Sequence, residues 1–331
     1  DAGCPDLSTD VNCGACGYAC VDGRHCASGR CTPAWLPMTS VNAPTARANF
    51  QGAALAGTLI VAGGSGPVAN CSGSLASAAQ YDPSTDVWTT LPSLNSARSQ
   101  HSIVSSGTAI YAFDGLTDCS NGFTQLGSLE SWAPGEAAWT IVNGSNPPAA
   151  RYAQESTWTG SMLWIYGGAS GALSYVTSGS LYDPVQNVWS DASCVLANCA
   201  RNDGATILDQ GYVRLWGGGG GTAPAGLAYE ISTGFWAAWT IPANFPATLT
   251  NPADDGRRIY LPSGGGSSNL NIVIYDRQTQ SQTTDTATSP IDMSSSGAMV
   301  WTGAEVVVWS GAGGTAPTSA GGRYQPPAPQ E

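Results

Sequence analysis

The chain has 331 residues, and only about 10% of them are charged, less than half the share usual for soluble domains. All 11 basic residues are arginine and the net charge is −12, which excludes a binder of nucleic-acid phosphates, since that needs a basic stripe. A 42% hydrophobic content excludes a disordered chain, and no run of 18 apolar residues exists to cross a membrane as a helix.

Six cysteines fall within the first 31 residues: Cys4, Cys13, Cys16, Cys20, Cys26 and Cys31. Such density among Gly, Asp and Asn predicts a disulfide-stapled module over residues 1–31, with 15 possible pairings and nothing in the spacing to choose among them. The rival is zinc at the Cys13-x-x-Cys16 pair, but no second pair stands at matched spacing, and no metal or other cofactor is expected. Cys194 and Cys199 enclose a short loop and are expected to close on each other. Cys71 and Cys119 then pair by elimination, each following a strand-plus-glycine element. Ten pairable cysteines imply an oxidising compartment, extracellular or periplasmic. The opening residues DAGCPDLSTD do not read as a secretory signal, so a secreted chain would have lost one.

Residues 32–331 repeat. Six short apolar runs end in glycine at intervals of about 50 residues, beginning at Leu59, Ile110, Leu163, Val213, Ile259 and Val306. β-Branched and aromatic residues stopped by glycine predict strands. A second signal recurs at the same phase: Tyr81 to Trp88, Trp132 to Trp139, Tyr182 to Trp189 and Tyr229 to Trp236, seven residues apart in each case. Asp82-Pro83 and Asp183-Pro184 supply turns, so the two aromatics sit on paired strands. The fifth copy has Tyr275 but Gln282 in the tryptophan place, and the sixth starts at Tyr324 with too little chain left for a final strand. An orphan strand at Trp35-Leu36-Pro37 stands 12 residues before Arg47, the interval that separates Trp139 from Arg151 and Trp189 from Arg201. It is therefore expected to complete the last repeat, because a ring of sheets must close or leave edges exposed.

On these residues the chain resembles the kelch-repeat family. The resemblance implies an all-β fold: a six-bladed kelch-type β-propeller over residues 32–331, the last blade closed by the strand around Trp35, preceded by the disulfide-rich module. The run from Asn12 to Cys20, continuing to Cys31, also resembles cysteine-rich segments of secreted myxobacterial proteins. Most tryptophans are expected to pack between blades. Trp158, Trp239 and Trp301 stand off the repeat register and suit sugar stacking.

Arg47, Arg98, Arg151 and Arg201 each lie 16 residues before Gly63, Asp114, Gly167 and Gly217, so four of the 11 arginines share one repeat position. The same place falls near Thr248 and Ser295 in the last two blades. Two expectations compete. Planar guanidinium forks can staple blades by bonding carbonyls or a carboxylate of the next blade. Alternatively, with Gln154 and Asp203 beside them, they can form an electropositive mouth that binds an anionic ligand. His101 and Glu155 are the candidates for proton transfer if there is catalysis. Only two histidines occur, and the histidine set and crosslinked Cys–Tyr pair of galactose oxidase, another kelch-type propeller, are missing.

The functional expectation is a secreted binding protein recognising a glycan or protein ligand at the propeller mouth and loops, rather than an enzyme. Two alternatives remain: an enzyme of anionic sugars resembling the kelch mutarotase of sialic acid, and a structural component of a surface layer or filament.

Overall fold

The computed structural model describes residues 6–21, 24–66, 73–117, 124–171, 174–219, 226–246, 251–263, 270–289, 291, 297–313 and 316–329. Six four-stranded antiparallel sheets are arranged as blades. Blade 1 shows the common order, from inner strand Gly52–Leu55 through Thr58–Ala62 and Ala78–Asp82 to outer strand Val87–Leu91. The inner strands of the next four are Ser102–Ser105, Glu155–Trp158, Asn202–Asp209 and Ala253–Asp254. In blade 6, Ala298–Trp301, Val306–Gly313 and Ala316–Tyr324 take Trp35–Pro37 as their fourth strand. Trp35 faces Tyr324 in register and Pro37 faces Gly322, which bears out the expected closure.

A lone blade has two apolar faces and cannot bury either by itself. The buried apolar residues among those described accordingly form six clusters, one in each seam between neighbours. The seam between blades 1 and 2, for example, joins Ala53 and Ile60 to Ile103, Ile110 and Trp139. The seven-residue aromatic interval has a direct cause. Tyr81 and Trp88 are cross-strand partners, as are Tyr182 with Trp189 and Tyr229 with Trp236.

Each outer tryptophan then reaches back one blade with its indole N–H. Trp88 donates to the Thr39 carbonyl (3.1 Å), Trp139 to Pro92 (2.9 Å), Trp189 to Asn143 (2.6 Å) and Trp236 to Ala192 (3.0 Å). All four acceptors lie just past the preceding blade's outer strand. Blade 5 keeps this bond without the tryptophan: Gln282 Nε2 donates to the Asn244 carbonyl at 3.2 Å. Phe245 occupies the vacated space, edge-on to Tyr275 at 5.2 Å between ring centres.

Near the axis the blades crowd. Gly63 has φ +65°, and a Cβ there would come within 2.5 Å of His101 Cε1 and 2.7 Å of the Arg98 carbonyl in the next blade. Glycine is required at such a point on both counts. Asp114 holds the same place in blade 2 with φ 57°, as a non-glycine residue.

In the N-terminal segment, disulfides join Cys13 to Cys26 and Cys20 to Cys31. Cys13 is thus committed to Cys26 rather than sharing a metal with Cys16. Cys16 is exposed and unpaired among the described residues, unlike the expectation that every cysteine pairs, while Cys4 lies outside them. Cys194 bonds to Cys199 as expected, and the Cys71–Cys119 expectation falls outside the described residues. No described helix is long and apolar enough to cross a membrane.

The stapled segment grips the closing blade. Tyr18 donates its hydroxyl to the Pro326 carbonyl, and Gln325 Nε2 donates to the Ala19 carbonyl. Arg24 is 2% exposed and pairs with the buried Glu305 of blade 6, whose other oxygen lies 3.5 Å from Arg323 Nη1. Arg323 also donates to the Pro83 carbonyl of blade 1 (2.6 Å). One carboxylate therefore ties the N-terminal segment, the last blade and the first. Glu305→Ala would leave two buried guanidiniums without it, and is expected to cost about 3–5 kcal/mol in urea unfolding. A loss under about 1 kcal/mol would show that the tie is dispensable.

Candidate binding site

The propeller offers two ends. Inner strands begin at the end marked by the four repeated arginines and finish at the other. At the arginine end, two residues past each arginine, Asn49, Gln100, Ala153 and Asp203 all adopt φ between 54° and 57° or, for Gln100, 51°. These left-handed residues are joined head to tail. The Gln100 N–H donates to the Asn49 carbonyl (2.8 Å), Ala153 to Gln100 (2.8 Å) and Asp203 to Ala153 (2.9 Å). The chain thus steps from blade 1 to blade 4 by single backbone bonds. A second set runs alongside, with Gly64, Gly115 and Gly168 donating to the carbonyls of Arg98, Arg151 and Arg201.

The arginine side chains lie beneath this ring. Arg47, Arg98, Arg151 and Arg201 are at most 4% exposed. Each Nη1 donates to the carbonyl 16 residues on: Gly63 (2.7 Å), Asp114 (3.0 Å), Gly167 (3.2 Å) and Gly217 (2.9 Å). The first three also serve the carbonyls of Ser77, Ser128 and Ser178, where the third strands begin. These acceptors belong to the arginine's own blade, not the next one. Arg98 adds a buried carboxylate, Glu130, which Asn95 also serves through its backbone N–H at 2.8 Å, and Arg151 Nε lies 4.0 Å from the buried Asp114 carboxylate. Burial pulls the Arg47 pKa down to about 10, still far above neutrality.

The other sequence candidates at this end separate. Gln154 is buried, and its Nε2 donates to Ser102 Oγ (2.9 Å) and the Phe113 carbonyl (3.1 Å). Asp203 is exposed at the ring. His101 is buried against Gly63 of blade 1, and burial, aided by Arg98, pushes its pKa down to about 3, so it is neutral. Glu155 faces the opposite seam, accepting the Gly204 N–H of blade 4 at 2.8 Å. Gly204 has no side chain, and a Cβ there would lie 2.7 Å from Glu155 Oε1, so the carboxyl fills that space. Burial raises the Glu155 pKa to about 7. His101 and Glu155 are therefore placed in different seams. The Thr248 and Ser295 positions lie outside the described residues.

The central channel is a different environment. A cavity of about 310 Å³ is lined by the inner strands of all six blades, from Gly52 to Trp301. An inner strand pairs on one side only, so its other edge presents N–H and C=O groups to the channel. Trp158 of blade 3 and Trp301 of blade 6 line it, half-buried, from seats half a turn apart. Each is braced by a tyrosine of the preceding blade in near-parallel stacking. Trp158 lies 5.9 Å from Tyr111 at 5°, and Trp301 lies 5.7 Å from Tyr260 at 12°. Trp239, the third off-register tryptophan, packs elsewhere, against Trp216 and beneath the Arg214 guanidinium.

Two residues of the channel wall carry buried side-chain oxygens that have no hydrogen-bond partner among the described residues, Ser156 Oγ and Asn251 Oδ1. Asp254 adds a carboxylate. Sequence reading passed over Ser156 and Asn251. The only available signal was their position in the short strands and lead-ins that precede each apolar run.

A family model described as Kelch motif matches residues 46–95, from the residue before Arg47 past the outer strand of blade 1. Together with six blades of one geometry, this match supports a kelch-repeat propeller.

Two outcomes follow for the arginine end. Arg98→Lys keeps the charge beside Glu130 but loses the fork that serves two carbonyls, and should lower unfolding stability by about 1–3 kcal/mol. An unchanged urea midpoint would remove the stapling role. For Glu155, the folded protein holds its proton up to about pH 7, whereas the unfolded chain releases it near 4.5. The stability it contributes is complete below about pH 4.5 and is lost as pH rises through 7. Glu155→Gln should therefore gain stability relative to the parent between pH 4.5 and 8, read from paired denaturation curves; a constant difference would contradict the raised pKa.

Proposed function

We propose that this kelch-type propeller is an extracellular glycan-binding protein whose site is the central channel around Trp158 and Trp301. Kelch propellers commonly serve as binding scaffolds, which makes recognition without turnover the simplest use of the fold. One observation carries the reading: two half-buried tryptophans, each braced by a stacked tyrosine, line one channel. Indole faces stack on the C–H faces of pyranose rings, and a sugar's hydroxyls both donate to and accept from exposed strand edges. Small ligand sites typically combine apolar walls with a few placed polar groups in this way.

The arginine end supports this choice by its chemistry. Anion capture needs guanidinium donors free to turn to a ligand. Here the forks are buried and directed at carbonyls where the second strand ends and the third begins. The extracellular placement rests on three described disulfides, which persist in oxidising surroundings.

The test is a glycan array followed by calorimetry on the best ligand. Trp158→Ala and Trp301→Ala are each expected to weaken binding at least about tenfold, about 1.4 kcal/mol. Near-UV circular dichroism confirms that the variants fold. Full affinity in both variants, or no glycan bound at all, would overturn the proposal.

A further inference from the structure

The geometry points to Asp254 as the specificity residue of the channel, admitting neutral, hydroxyl-rich sugars and rejecting anionic ones. This rests on the glycan reading above and goes beyond it by assigning the ligand's charge. Among the described lining residues Asp254 is the one ionisable group, and its side chain keeps 30% exposure. It stands on blade 5, whose inner strand borders that of blade 6, the strand that ends in Trp301.

Its carboxylate is held rigidly. Arg277 grips it with both arms, Nη1 to Oδ1 at 2.7 Å and Nη2 to Oδ2 at 2.6 Å. The Gly256 N–H adds a third bond to Oδ1 at 2.8 Å. A carboxylate offers about four acceptor positions, so these three donors leave capacity on Oδ2. The guanidinium cannot present itself to a ligand in exchange. Its Nε lies 3.3 Å from Asp209 Oδ1, and Nη2 also donates to the Leu208 carbonyl (3.2 Å). The channel therefore meets the acceptor face of this pair and not the donor face.

A partly exposed carboxylate oxygen with spare acceptor capacity is satisfied by a sugar hydroxyl. A uronate or sialate would instead bring a second negative charge into a confined space where screening is weak. No described cation lines the cavity to offset it.

The experiment compares matched probes on the full chain: neutral oligosaccharides and their uronic-acid counterparts, arrayed and then titrated in solution. The parent protein should prefer the neutral member at least tenfold, and less so in 0.5 M salt. Asp254→Asn and Asp254→Ser should both narrow the preference to about threefold or less, while Asp254→Glu keeps it. A parent protein that prefers uronates, or neutral variants that discriminate as the parent does, would overturn this assignment while leaving the tryptophan site standing. Loss of all glycan binding by the parent would instead remove the glycan reading itself, and the assignment with it.

Discussion

Six sheets that share an axis must crowd at their inner edges and spread at their outer ones, and most of the sequence answers that one constraint. Where the blades crowd, backbone replaces side chain. Gly63 leaves no room for a Cβ, and the left-handed residues from Asn49 to Asp203 hand one hydrogen bond from blade to blade. Where the blades spread, the largest side chains fill the wedge. Trp88, Trp139, Trp189 and Trp236 do so while their indole N–H groups reach the preceding blade. Glycine and tryptophan are thus two answers to one taper, at its narrow and wide ends.

The scarcity of charge follows from the same architecture. Inner and middle strands are buried on both faces, so a charged side chain there must carry its own partners. The repeated arginines meet this condition by serving carbonyls where the second strand ends and the third begins. Arg98 adds Glu130, and Arg24 meets Glu305. Asp114 is the exception in the glycine series. Burial drives its carboxyl well above the usual range although Arg151 and Arg98 stand nearby.

Periodicity made the fold legible. The 16-residue step from arginine to glycine and the seven-residue step between aromatics located equivalent positions in successive blades. The orphan Trp35 identified the closing strand, because a ring has no other use for it. Periodicity did not tell which way an equivalent side chain turns. The arginines are equivalent, as expected, yet they turn into their own blades. Gln282 reads as a lost tryptophan, but it retains the hydrogen bond and leaves the volume to Phe245, 37 residues earlier. The channel was least legible. Asp254 belongs to a two-residue strand, too short to show any alternation, and its carboxylate is held by Arg277 from the turn after the blade's third strand. Disulfide pairing in the N-terminal segment was likewise beyond spacing, since fifteen arrangements fit the same six positions.

The closing strand has a mechanical consequence. Trp35 pairs with Tyr324 in antiparallel register, and the Gln325 N–H donates to the Ala34 carbonyl just beyond. The two ends of the propeller therefore leave it side by side. A pull that separates them would load this pair of strands bond by bond, as a zip, rather than in shear across all bonds together. Unzipping is the weaker geometry. The contacts of Tyr18, Arg24 and Gln325 stand across the fork where the peel would begin. The stapled segment thus acts as a clamp at the tip of the crack, so tension on the chain meets buried charge pairing before it reaches the sheet.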